Sequence, residues 1–396
     1  MSQRTLNLGV IGLGRAFMLM LPTFVADPRV KLVAASDPRR EARDRFKREF
    51  GTAHESAEAV CADPAVEAIY IASPHQMHAE HVRMACAAGK HVLVEKPMAI
   101  TLADCDAMIE AATAADIHLI VGHSHSFNAP ILKLHEAVRS GRFGAARMIH
   151  ALNYTDFLYR PRRPEELVTE QGGGVIFSQG AHQIDIVRLI GGGLVTSVDA
   201  ATGAWDPARP SEGAYSALLR FDGGTFASAT YSGYAHFDSD ELVGWTGELG
   251  APKDKNRYGE ARRMLDNTPG AEAEIALKET RTYGPATTVA KPAEGLSHQH
   301  FGFLVASCEG ADLRPMPDGL MIYANDRAYL EPLPPPQVPR SEVIDELCAA
   351  VWDNRPPLHD GAFSRATLEV CLAILRSARN CAPIALSRQV AAGTPR

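Results

Sequence analysis

A few short clusters hold the residues of this 396-residue chain best suited to binding a nucleotide and moving a proton. Gly12-Leu13-Gly14-Arg15-Ala16-Phe17 follows an apolar run and opens a segment of helical period. Glycine at 12 and 14 lets the chain turn tightly and lets a pyrophosphate approach the backbone in front of a helix N-terminus, with Arg15 and Ala16 in the first turn. The third fingerprint position is Phe17, so a bulky side chain must find room between helix and strand. Asp37 closes the next apolar run, where a carboxylate accepts hydrogen bonds from ribose hydroxyls. A plain helix cap before Pro38 is the competing reading. Asp37 favours NAD, because a 2′-phosphate would meet its charge. Arg39 and Arg40 follow it and leave NADP open.

Two further clusters carry proton chemistry. In Glu95-Lys96-Pro97 the lysine follows a strand, so its ammonium can reach the nicotinamide end of the cofactor. There it serves as hydrogen-bond donor or, with its pKa lowered by burial, as base. His182 and Asp185 are three residues apart and share one face of a helix. Histidine is the natural proton acceptor near neutral pH. His123/His125, His75/His78 and His298/His300 lack a cysteine or carboxylate at ligand spacing, so no metal is expected.

The elements that must position these groups follow from periodicity. Strands are expected at 6–11, 31–36, 68–72, 91–94 and 118–122, alternating with helices at 15–25, 41–50, 79–88 and 103–114. Such alternation means βαβ units and a parallel sheet covered on both faces, a doubly wound Rossmann domain over 1–124. From 125 to 396 the texture changes to an α+β domain with an open, mostly antiparallel sheet. Helices are expected at 129–140, after Gly172-Gly173-Gly174, at 340–354 and at 363–381. Strands are expected at 146–153, 195–202, 215–221 and 225–231, the last two joined at Asp222-Gly223-Gly224. Residues 238–295 read as a polar, irregular insert, and 332–339 as a proline-rich spacer.

With these motifs the chain resembles the Gfo/Idh/MocA oxidoreductases over nearly its whole length. The resemblance rests on the glycine-rich start, Ser73-Pro74-His75-Gln76-Met77-His78, Glu95-Lys96-Pro97, and Gly172-Gly173-Gly174 followed by Gly180-Ala181-His182-Gln183-Ile184-Asp185. It implies hydride transfer from a secondary alcohol, usually of a sugar or cyclitol, at a site between the domains. Ser73, Pro74, His75, His78, Glu95, Lys96, Pro97 and His123 are then expected along the cofactor, with His78 also orienting the helix that follows. His182 matches the family's catalytic histidine, and Asp185 is expected close to the substrate. Many sugar-active members carry Asp four residues before that histidine, where this chain has Ser178. A hydroxyl cannot stabilise an imidazolium as a carboxylate does, which shifts weight to Lys96 or to a different substrate.

The loop from Tyr154 to Pro164 bears on the substrate. Tyr159, Arg160, Arg162 and Arg163 combine an aromatic ring with three guanidinium groups on a proline-stiffened stretch. Arginine binds carboxylates in bidentate fashion and aromatics stack on flat rings, which suits a planar polyacid; a solvated loop or subunit contact is the bland alternative. With Ser178 and the glycine run, this stretch is similar to the family's phthalate 4,5-cis-dihydrodiol dehydrogenase branch. That implies oxidation of 4,5-dihydro-4,5-dihydroxyphthalate to 4,5-dihydroxyphthalate. The alternatives are a sugar or inositol dehydrogenase, a non-catalytic NAD sensor on the same fold, or an NAD-dependent glycosidase.

Bulk properties narrow the partners. A net charge of -7 gives no overall footprint for nucleic acid. No apolar run approaches the ~20 residues that span a bilayer, and Met-Ser-Gln-Arg-Thr is no secretory leader. Seven scattered cysteines without a Cys-x-x-Cys pair fit reduced core thiols in the cytoplasm. An open sheet face is costly to leave in water, so a homodimer or homotetramer is expected.

Overall fold

The computed structural model describes residues 4–234, 236–284 and 295–393. The leader reading at residues 1–3 and the part of the expected insert at 285–294 lie outside the described residues.

The first half runs β1 (Leu6–Ile11), α1 (Arg15–Ala26), β2 (Val30–Ser36), α2 (Arg40–Glu49), β3 (Thr52–His54), α3 (Ala57–Ala62), β4 (Ala68–Ile71), α4 (His78–Ala87), β5 (His91–Val94), α5 (Leu102–Ala114) and β6 (Leu119–Val121). The strands form one parallel sheet in the order β3-β2-β1-β4-β5-β6. All four residues of β4 are buried, as expected where helices cover both faces. Strand order reverses between β1 and β4. The turns after these two strands, at Gly12 and Ser73, therefore open on the crevice where such sheets bind ligands.

The second half contributes α6 (Ala129–Arg139), β7 (Ala146–Tyr154), α7 (Ala181–Ile190), β8 (Val195–Gly203), β9 (Ala214–Phe221) and β10 (Phe226–Ser232). Next come α8 (Glu260–Asp266), α9 (Ala271–Glu279), β11 (Phe303–Cys308), β12 (Ala311–Met316), β13 (Gly319–Ala324), β14 (Ala328–Pro332), α10 (Ser341–Asp353), α11 (Gly361–Asn380) and β15 (Ile384–Ala385). Nine strands pair in the order β14-β13-β12-β11-β7-β10-β9-β8-β15, all antiparallel except β7 with β10. Alternate residues pack with α6, α7 and α11 in one core, while Phe226, Tyr323 and Leu330 stay exposed.

Two expectations need correction. The insert is not wholly irregular, because α8 and α9 lie within it. The two cores also do not follow a single cut in the chain. Val343, Ile344 and Leu347 of α10 are fully buried in one cluster with Phe17, Met20 and Leu21 of α1. Cys61, Cys86, Cys105, Cys348 and Cys371 are buried and unbridged. Among the described residues, no helix is long and apolar enough to cross a membrane, and no three His, Cys, Asp or Glu side chains are grouped to hold a metal.

Candidate active site

The nucleotide end is shaped by backbone. Gly12 has φ +93°, and a Cβ there would lie 2.7 Å from Ala72 O. A side chain is excluded on both counts. Gly14 caps α1 without any side-chain hydrogen bond, leaving the first-turn N–H groups of Arg15 and Ala16 to an external anion. This open, uncapped helix start fits a dinucleotide pyrophosphate. Asp37 accepts from Leu13 N at 2.8 Å and from Arg39 Nε at 2.9 Å. Arg39 also donates to Leu13 O at 2.8 Å and to Thr282 Oγ1 at 2.5 Å. Asp37 and Arg39 are thus one ion-paired unit stitched to the phosphate loop. Phe17 finds its room beneath Tyr283, which it meets edge-on at 5.3 Å between ring centroids. Tyr283 N donates to Leu13 O at 3.1 Å, and its hydroxyl to Glu49 at 2.7 Å. The insert therefore reaches across to brace the nucleotide loop.

The turns after β4 and β5 meet behind the crevice. His78 is fully buried with its ring nitrogens 3.0 Å from Ser73 O and 3.1 Å from Pro97 O. It ties the two turns together rather than facing a cofactor, which corrects its expected place. Burial lowers its pKa to about 4, against the carbonyls of Ser73, Pro97 and Met98, which favour the charged ring. Ser73 Oγ bonds His81 Nδ1 at 2.9 Å; Pro74 is exposed and His75 half-buried beside it. Glu95 is buried and accepts from the Tyr70 hydroxyl at 2.5 Å. Lys96 donates to Ser178 O at 2.6 Å, so Ser178 meets it through the backbone, not the hydroxyl. Burial lowers the Lys96 pKa to about 8, against the opposing pull of Glu95 and Glu248.

Ser178 lies in a π-type turn, Ile176–Gly180, that leads into α7. Gly174 opens this stretch with φ +78°, and a Cβ there would occupy the space of the Glu212 carboxylate. His182, on the first turn of α7, is buried and packs against His125 at 4.8 Å and Phe301 at 5.2 Å. Burial, then the charge of Lys96, holds its pKa well below 6.5. Its Nδ1 is buried without a hydrogen-bond partner. Asp185 departs from expectation. One oxygen takes the Ser126 hydroxyl and the other Thr367 Oγ1 at 2.8 Å, so the carboxylate anchors α7 to its neighbours. His123 is buried, with Nε2 3.3 Å from Asn128 Oδ1.

The arginines of the loop divide by role. Arg160 bonds Asp156 at 2.9 Å, and its Nη1 lies 3.9 Å from Glu248 Oε2. Arg162 is stacked on Phe157 at 3.5 Å, and its Nη2 is bonded to Phe157 O at 2.6 Å. That guanidinium braces the loop rather than offering itself to a ligand, a correction to its expected place. Arg163 donates its backbone N–H to Glu166 at 2.7 Å. Tyr159 lies under Arg262 at 4.1 Å. Two residues outside every motif complete the cleft. Arg340, nine-tenths buried, donates Nε to Gln299 at 3.1 Å, and its charge acts on Glu95, Glu248 and His182. Glu248 reaches in from the insert, and no sequence signal marked either one's place.

Both halves match family models: "Oxidoreductase family, NAD-binding Rossmann fold" over residues 6–123 and "GFO/IDH/MocA C-terminal domain" over 131–251. The chain belongs to the Gfo/Idh/MocA oxidoreductase family. It is an NAD-dependent oxidoreductase, the nucleotide being held by its N-terminal domain. It is 49% identical over 377 residues, 94% of this chain and 95% of the relative, to the 1-carboxy-3-chloro-3,4-dihydroxycyclohexa-1,5-diene dehydrogenase of Comamonas testosteroni. It is 32% identical to the myo-inositol 2-dehydrogenase of Thermotoga maritima over 195 residues, 49% of this chain and 57% of that one. A crystal structure of a Bordetella bronchiseptica protein superposes with a TM-score of 0.91 at 40% identity, over 96% of this chain and 100% of that chain.

Proposed function

We propose that this enzyme oxidises a carboxylated cyclohexadiene cis-diol to the corresponding catechol, with 4,5-dihydro-4,5-dihydroxyphthalate as the particular substrate. The observation that carries this reading is the concentration of positive charge around Lys96. Arg162 and Arg340 act on Lys96 itself and Arg160 on the adjoining Glu248, while Glu95 and Glu248 oppose them at Lys96 and Asp156 pairs with Arg160. A cleft so charged suits an acid far better than a neutral polyol. The Comamonas relative, whose named substrate is a carboxylated dihydroxycyclohexadiene, supports the same class.

The bound nicotinamide supplies the hydride acceptor. Lys96, neutral above about pH 8, takes the hydroxyl proton as the carbinol C–H bond gives up its hydride and C–O becomes C=O. The enone then loses a ring C–H proton while its carbonyl oxygen gains one, leaving the catechol. Aromatisation draws the reaction forward, so the base needs no carboxylate at position 178. Neutral His182 orients the hydroxyl, and Arg160 holds a carboxylate. The exposed face of the nine-stranded sheet supports self-association as a homodimer or homotetramer.

The test is NADH absorbance with the phthalate diol, a chlorobenzoate diol, a carboxyl-free diol and inositol. Turnover of the phthalate diol above the others is expected. Faster turnover of the monoacid would move the specificity within the class, and turnover of inositol alone would overturn the proposal.

A further inference from the structure

Glu248 is the carboxylate hydrogen-bonded to the histidine cluster. Its Oε1 lies 3.2 Å from His125 Nε2, while its Oε2 faces Arg160. The far side of His125 fixes where the ring hydrogen must sit. Asn128 donates one amide hydrogen to Gln299 O at 3.0 Å and the other to His125 Nδ1 at 3.0 Å. Its Oδ1 faces His123 Nε2. Nδ1 of His125 is therefore an acceptor, and Nε2 carries the hydrogen and donates it to Glu248.

The His125 ring meets His182 at an interplanar angle of 69°, and Phe301 packs on both rings at 5.0 and 5.2 Å. With Nδ1 of His182 unpartnered, the ring is oriented by packing rather than by a hydrogen bond at that atom. Lys96, His123, His125 and Arg340 face His182; Arg160 and His300 face Glu248 along with His125. The Glu248 charge also acts on Lys96.

We propose that Glu248 and His125 form a positioning dyad, in which Glu248 fixes the tautomer and ring plane of His125 and His125 fixes His182. The insert is then part of the active site rather than an appendage to it. The proposal rests on the reading of the cleft as a carbinol-oxidising site.

The experiment uses the full chain with NAD and a carboxylated cyclohexadiene cis-diol. Glu248→Gln is expected to lower kcat about tenfold or more with KM for NAD unchanged. It should also shift the acid limb of kcat/KM to lower pH, because Lys96 loses a neighbouring negative charge. His125→Asn, which keeps an acceptor toward Asn128, should lower kcat similarly, with the double variant no worse than the poorer single. In 15N-histidine-labelled protein without cofactor, His125 should show the Nε2–H tautomer, and Glu248→Gln should move the His182 resonances. Unchanged kcat and pH profile, additive losses, or unmoved His182 resonances would overturn the dyad. If Glu248→Gln fails to fold, the wild-type tautomer and His125→Asn decide. No NADH from the unaltered protein with any carbinol would instead sink the activity reading, while the NMR coupling still judges the dyad alone.

Discussion

The ammonium of Lys96 and the carbonyl of Ser178 meet at 2.6 Å, joining the turn after β5 to the turn before α7. A residue of the nucleotide domain is thereby pinned by the backbone of the second domain. The acceptor being a carbonyl, it holds the lysine without adding the full negative charge that would keep it protonated. Burial can then bring the Lys96 pKa down to about 8.

The pH dependence of the rate follows. A base must be neutral to act, so kcat/KM should climb about tenfold per pH unit below about 8 and level off above it. Lys96→Met should lower kcat by about 10²–10⁴ while leaving the Kd for NAD unchanged. A flat profile between pH 6 and 9 in the wild type, measured by NADH formation, would remove Lys96 from this role.

Stability should carry the same signature. Folding lowers the Lys96 pKa from 10.5 to about 8. Between these values the unfolded chain binds more protons than the folded one, so stability rises with pH through that window. The Lys96→Met variant lacks this rise and should be more stable than wild type at pH 7. Parallel Tm-versus-pH curves for the two proteins would show that the lysine is fully solvated.

The loop arginines should separate in mutagenesis. Arg160→Ala should raise KM for the acid substrate roughly 10- to 100-fold, the scale of one lost charge-assisted hydrogen bond, without changing KM for NAD. Arg162→Ala should act first on stability, by about 1–2 kcal/mol, since it removes the stack on Phe157. Thermal melts beside steady-state kinetics distinguish the two, and a reversed pattern would reassign the substrate contact.

Asp185→Ala strands the Ser126 hydroxyl in the interior and leaves Thr367 Oγ1 with Arg188 and the Phe363 carbonyl alone. A loss of about 1–3 kcal/mol in urea unfolding is expected. Full stability accompanied by a pure kcat defect would return Asp185 to the chemistry.

Tyr283 lies far from the glycine motif in sequence yet packs on Phe17 and bonds Leu13 O. Tyr283→Ala should weaken NAD binding about tenfold, measured by titration of cofactor fluorescence, because the turn that meets the pyrophosphate loses its brace. Unchanged affinity would confine Tyr283 to packing.

Much of the first domain is legible because its signals are local. A buried parallel strand needs a near-continuous apolar run; β4 has an unbroken one, and β1 and β5 are interrupted only by Asn7 and His91. The three residues of β3 and six of α3 are too short to show a period, and neither is anticipated. The four strands β11–β14 also escape, because they are short, follow the polar insert and bury few residues, β14 none. In the site, glycines 12 and 174 stand where only glycine fits, and such demands leave a mark in sequence. His78, Arg162 and Asp185 are marked by the same motifs, yet their side chains turn to structural partners.

The sequence by itself determined the nucleotide-binding half, the family and the positions of Lys96 and His182, because each depends on a turn or helix formed by neighbouring residues. Tertiary structure alone decided which carboxylate meets His125, which arginine stacks on Phe157 and what shelters Phe17. Glu248, Arg340 and Tyr283 reach the cleft from distant segments. No local pattern encodes them, since what selects them is the charge and volume the folded cleft leaves unfilled.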